Sequence, residues 1–270
     1  MSNVFLVAFG DSLNAIKKNL RIVLVLLLLE IGFMALLGSV QLHYQFQIFE
    51  KSQEFTDYMN QLPLEDTESI LQQKDIFGDN PALIFEGAQA IRSALYKLAI
   101  FTVLIILFFN LVNWALTEQL FNKKKKEWLE YAGKFIVVAA VYSIIYVVLI
   151  SIFLETSLSD YLVEEAAHLR IVPSLVLLAV AYFMFISFAL VGRTKLKDIA
   201  KKTFEIGFKK AHWMLSTYAV NIALIVLFGY FFFRSGGYSY SILVILGIFF
   251  LAAFVWGRIL VVATIARLRN

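Results

Sequence analysis

Two charged side chains stand inside stretches that are otherwise apolar: Glu30 in LLLLEIGF and Arg258 in FVWGRILV. A charge in hydrocarbon is costly, so such a residue turns inward, finds a partner and marks a candidate site. Glu30 lies nine residues past Arg21, and Arg258 nine residues before Arg267. At a helical rise of 1.5 Å per residue, each is roughly 13 Å from the nearer boundary. A carboxylate and a guanidinium at one depth pair directly if their segments are neighbours. Ala253 and Gly257 precede Arg258 at the small-xxx-small spacing that lets helices approach closely. Neutral polar residues fall at a similar depth. Asn110 and Asn113 lie three apart on one face, Ser143 is nine residues past Lys134, and Asn221 is eight past Trp213. Glu30, Asn110, Asn113, Ser143, Asn221 and Arg258 therefore form a candidate intramembrane polar layer. Two readings of it stand. It is an interhelical hydrogen-bond layer with an ion pair that fixes packing, or it lines a cavity that takes a solute or a lipid headgroup. In the second, Arg258 meets an anionic group and Glu30 orients it.

Other chemistry is sparse. Cysteine is absent, which excludes disulfides, thiolate metal sites and a Cys nucleophile. The histidines are His43, His168 and His212. Glu164, Glu165 and His168 form Glu-Glu-x-x-His, which places Glu and His on one helical face. Carboxylate di-metal sites need that motif twice with further Glu, and one copy is present, so no metal site is expected. No HExxH, GxSxG, Walker A or dinucleotide fingerprint stands in a credible context. No acid, base and nucleophile converge at one depth, so neither an enzyme nor a cofactor is expected.

The elements that must hold the layer are long apolar helices. The chain is 60% hydrophobic and 16% charged, against ~45–50% and ~25% in soluble domains. A bilayer core about 30 Å thick needs roughly 20 apolar helical residues. Six stretches qualify: about 22–40, 98–116, 135–154, 171–191, 214–233 and 241–265. The alternation of a β-barrel is missing. The fold class is an all-α polytopic bundle of six spans, read as a single membrane domain over 1–270. Segments 1–21, 117–134, 192–213 and the chain from Arg258 carry 18 of the 24 Lys and Arg. The positive-inside rule then puts both termini in the cytoplasm of a plasma-membrane protein. All four Trp (Trp114, Trp128, Trp213, Trp256) fall toward that side, as headgroup anchors would.

A threefold plan shows along the chain, each pair of spans being preceded by an amphipathic segment. The first, 4–20, has Phe5, Phe9, Leu13, Ile16 and Leu20 on one face and Asp11, Lys17 and Lys18 off it. The second, 121–134, carries the run Lys123 to Lys126. The third, 194–211, has Ala200, Phe204, Phe208 and Ala211 on one face and Lys197, Lys201, Lys202, Lys209 and Lys210 elsewhere. Basic amphipathic helices lie in the interface and attract anionic lipid, so anionic headgroups are the expected partners. Nucleic acid is not expected, since the basic runs hug membrane ends. The loop 41–96 would lie outside as a small helical cap. Residues 41–90 hold nine acidic and two basic side chains, a surface for a protein partner or a solvated hairpin. Asn80-Pro81 reads as a helix start there.

The run Phe5-x-x-Ala8-Phe9-x-Asp11-x-Leu13-x-Ala15-Ile16-Lys17-Lys18-Asn19-Leu20, followed by a Leu-rich span, resembles the N-terminal pattern of prokaryotic six-helix membrane proteins. These include the membrane domain found beside some glycerophosphodiester phosphodiesterases. The resemblance covers about thirty residues and implies a membrane module; no catalytic residue carries over. Two functions remain open: solute transport or lipid handling through the polar layer, or a non-catalytic scaffold or partner subunit. Transporter sites are often marked by spans broken by Gly or Pro, and here only Pro173 at the start of the fourth span and scattered Gly would serve.

Overall fold

The computed structural model describes residues 3–61, 81–121, 128–160, 171–234 and 239–269. Among the described residues all regular structure is helical. The elements are α1 (Val4–Lys18), α2 (Leu20–Gln61), α3 (Pro81–Gln119), α4 (Trp128–Asp160) and α5 (Ile171–Val191). A short α6 (Leu196–Phe204) follows and continues into a π-helical turn, Glu205–Lys209. Then come α7 (Ala211–Arg234) and α8 (Tyr240–Arg269). Six helices are long and apolar enough to cross a membrane: α2, α3, α4, α5, α7 and α8. Large side chains such as Leu28 and Val226 are more than 60% exposed on their outer faces, as a lipid-facing surface requires.

The chain forms two compact units, Met1–Ile31 with Phe109–Asn270, and Gly32–Phe108. The second consists of the later part of α2 and the earlier part of α3. α2 has 42 residues and no Gly or Pro after Gly38, so nothing breaks it at the membrane boundary. The expected helix start at Pro81 is where α3 begins. Tyr44 stacks on Phe101, with centroids 6.0 Å apart. A shallow groove of about 350 Å³ lies between Gln47, Glu50 and Lys51 on α2 and Ala90, Ser93, Ala94 and Lys97 on α3. Residues 62–80, the most acidic part of the expected cap, lie outside the described residues, as do Glu164, Glu165 and His168.

The first unit is organised around α8. Every residue from Ile259 to Ile265 is buried, because α1, α5 and α7 all pack on this helix. The end of α8 is thus enclosed by protein, and Arg258 lies at the head of that enclosed stretch. α1 is capped by Asn3, whose Oδ1 accepts from the backbone N–H of Phe5 and Leu6. It meets α8 through small residues: Ala8, Ser12 and Ala15 are buried, while Leu13 and Leu20 are exposed. The face expected to be apolar divides: Leu13 and Leu20 look outward, Phe9 and Ile16 pack inward, and the small residues allow the close approach. Phe9 sets its ring edge-on to Trp256 at 5.4 Å. Arg267 donates from Nε and Nη2 to the two Asp11 carboxylate oxygens at 2.6 and 3.0 Å, latching α1 to the end of α8.

Candidate functional site

α2, α3 and α8 bring Glu30, Asn113 and Arg258 together. Arg258 Nη2 donates to Glu30 Oε1, and Asn113 Nδ2 donates to the same oxygen at 3.1 Å. Glu30 is 5% exposed and Asn113 2%. The guanidinium also lies over the ring of Trp114, 5.8 Å from its centroid, a cation–π contact in a desolvated setting. Trp114 is held by Phe185 and Phe188 of α5. One turn on, Thr117 Oγ1 donates to the Asn113 carbonyl at 2.7 Å. α7 adds Asn221, whose Nδ2 donates to the carbonyl of Gly257 at 3.1 Å. A Cβ at Gly257 would stand 3.1 Å from the Asn221 side chain, so the glycine is what lets this amide reach the backbone of α8. Thr217 and Thr264 close the same interface at 3.1 Å.

The hydrogen bonding around this pair is incomplete. Arg258 Nη1, Trp114 Nε1, Asn113 Oδ1 and Asn221 Oδ1 are all buried, and none has a hydrogen-bond partner among the described residues. Turning the amides over does not help. Glu30 and the Gly257 carbonyl are acceptors, so each Asn must present its NH₂ to them and its oxygen elsewhere. The site thus holds two spare donors and two spare acceptors within one contact of a closed ion pair. Such atoms cost about 1–3 kcal/mol each when left unsatisfied.

An apolar layer borders the site toward the end of the bundle that holds α1. Ala15, Leu26, Leu120, Val255 and Ile259 form one core cluster, with Ile16, Ile22, Val23, Leu116 and Phe121 against it. Leu26 is one turn before Glu30, and Ile259 follows Arg258. α1 supplies Ala15, so the helix latched by Asp11 and Arg267 also completes this layer.

The other expected members divide. Asn110 is half-buried, one turn from Asn113. Ser143 is exposed on the outer face of α4 and does not join the layer. Its neighbour Tyr142 turns inward instead, within 2.9 Å of Ser187, which is 2.9 Å from Thr203. This hydroxyl chain ties α4, α5 and α6. Trp114, expected as a headgroup anchor, is 2% exposed and belongs to the site. His43 sits 3.2 Å from Gln47 on the same helix, and His212 packs on Trp213. No group of three or more His, Cys, Asp or Glu occurs among the described residues.

A second buried ion pair escapes the sequence reading. Arg193 Nε donates to both carboxylate oxygens of Glu118 at 2.9 Å, and the two side chains are 11% and 5% exposed. Both residues fall in segments between spans, where charges read as orientation signals. The available signal was that Glu118 is an acid on the strongly basic side, four residues and so one helical turn from Trp114. Tyr131, close by in the fold, is 5% exposed and feels the charges of both Glu118 and Arg258.

No protein-family model, curated protein or solved structure matches this chain.

Proposed function

We propose that this chain is a multi-pass protein of the plasma membrane, with both termini in the cytoplasm. It takes up a polar solute or a lipid headgroup in the layer around Glu30 and Arg258. The observation that carries this reading is that four of the seven buried polar side-chain atoms without partners among the described residues gather beside the ion pair. A layer built only to fix packing satisfies its own donors and acceptors, because each one left over costs stability. Two spare donors and two spare acceptors suit a group that both accepts and donates hydrogen bonds. Glu30 already neutralises Arg258, so the ligand group need carry no net charge. Access from the cytoplasm runs past the apolar layer of Leu26, Leu120 and Ile259, which parts if α1 leaves α8.

The alternative, a scaffold with a dry polar seam, makes the opposite forecast for accessibility. The chain has no cysteine, so a single introduced thiol reports its own surroundings. With Asn221→Cys in inside-out vesicles, a small charged methanethiosulfonate added from the cytoplasmic side is expected to react. Reaction should be up to roughly fivefold faster when Asp11→Asn removes the latch, an exposed ion pair worth at most about 1 kcal/mol. A thiol that stays unmodified in both backgrounds sinks the transport or lipid-handling reading.

A further inference from the structure

Independently of the polar layer, α6 and its π turn carry a three-stripe surface. Ile199, Thr203 and Ile206 are buried against the bundle, at 3, 1 and 5% exposure. Leu196, Phe204 and Phe208 are 41, 55 and 68% exposed. Beside them, Lys197, Lys201 and Lys209 are exposed as well. Lys209 has Glu205 at 3.6 Å. Residues 193–210 hold seven basic and two acidic side chains.

The π turn keeps the apolar stripe in line. Residues four apart in an α-helix drift about 40° around the axis at each step. Leu196, Ala200 and Phe204 drift in that way, and a further α-helical step would carry Phe208 away from them. A π turn spends one more residue per turn and brings Phe208 back over Phe204. Their rings are 6.1 Å apart and 8° from parallel, and both pack on Phe183 of α5. The turn is seated by Gly207, whose absent Cβ would fall 2.4 Å from the Phe183 ring. Tyr182 donates to its carbonyl at 2.8 Å. A π turn fixed this firmly, whose product is an exposed aromatic pair beside a lysine row, fits an interface. The rings match acyl chains and the ammonium groups match phosphates.

We infer that this segment is a seat for anionic phospholipid in the leaflet at the basic end of the bundle. Phe204 and Phe208 enter the acyl region, and Lys197, Lys201 and Lys209 hold the headgroup phosphates. The partner is the lipid itself, since both the apolar and the charged stripe are satisfied by one amphiphile.

The test uses the full chain with Phe208→Cys, labelled with a bimane fluorophore and reconstituted in phosphatidylcholine vesicles. Spin-labelled phosphatidylglycerol and spin-labelled phosphatidylcholine are compared as quenchers at equal mole fraction. Phosphatidylglycerol should quench at least roughly twofold more strongly, and the preference should shrink in high salt. It should fall to parity in K197Q/K201Q/K209Q, and K17Q/K18Q, which alters α1 instead, should leave it intact. Equal quenching by the two lipids overturns the proposal, as does a preference that survives the triple substitution. A probe that neither lipid quenches also overturns it, by showing the face covered by something other than lipid.

Discussion

Glu30→Arg and Arg258→Glu should each destabilise the protein by about 3–5 kcal/mol, and the two together should recover a substantial part of that loss. Each single change places two like charges in a buried layer and leaves the native partner uncompensated. The double change restores an opposed pair at the same depth. Asn113 can serve either arrangement, because its amide can turn to offer Oδ1 to an arginine at position 30 in place of the NH₂ it now gives Glu30. Recovery should be incomplete, since the guanidinium would leave the Trp114 ring. Equilibrium unfolding in mixed micelles with rising dodecyl sulfate reads all four proteins. A double variant no more stable than the worse single one would mean that the pair does not act as a unit.

Arg193→Ala should cost a similar amount, about 3–5 kcal/mol, because it takes the guanidinium away from a buried carboxylate. Arg193→Lys should fail to rescue it fully. The present contact runs from one Nε to both carboxylate oxygens, and an ammonium on a flexible stem does not reproduce that planar approach. The pair joins the end of α3 to the corner between α5 and α6, so the damage should be regional. Amide hydrogen exchange in α6 and the π turn should quicken well before exchange in α8 does. Uniform quickening across all helices would assign the pair a global role instead.

Much of this was legible in the sequence, and the boundary between what was and was not has a physical cause. Six apolar runs of sufficient length require six helices, because backbone groups in lipid must be satisfied within the segment. The depths of Glu30 and Arg258 follow from counting residues to the nearest basic boundary, and two opposite charges at one depth find each other. Rotation about a helix axis is another matter. A helix that is apolar all round carries no periodic signal for which side faces protein, so Ser143 was placed inward when Tyr142 is the inward residue. α1 misled for the opposite reason. Its bulky stripe of Phe5, Phe9 and Leu13 reads as one apolar face, but small residues set where a neighbouring helix comes closest, so Ala8, Ser12 and Ala15 are buried, Phe9 packs beside them on Trp256 and Leu13 stays exposed. Glu118 and Arg193 were overlooked because chain connectivity between spans says little about burial. The π turn depends on Gly207 meeting Phe183, a tertiary contact that local propensity does not encode.

The two ion pairs, the spare hydrogen-bonding atoms and the latch of α1 all bear on whether the layer at Glu30 and Arg258 accepts a ligand or only packs. A density map of the purified protein in native lipid addresses that directly. The account predicts ordered non-protein density, from a solute or a headgroup, within hydrogen-bond distance of Arg258 Nη1 and Trp114 Nε1 and reaching Asn113 or Asn221. Close-packed side chains at all four atoms, with no such density and no path past Leu26, would contradict it.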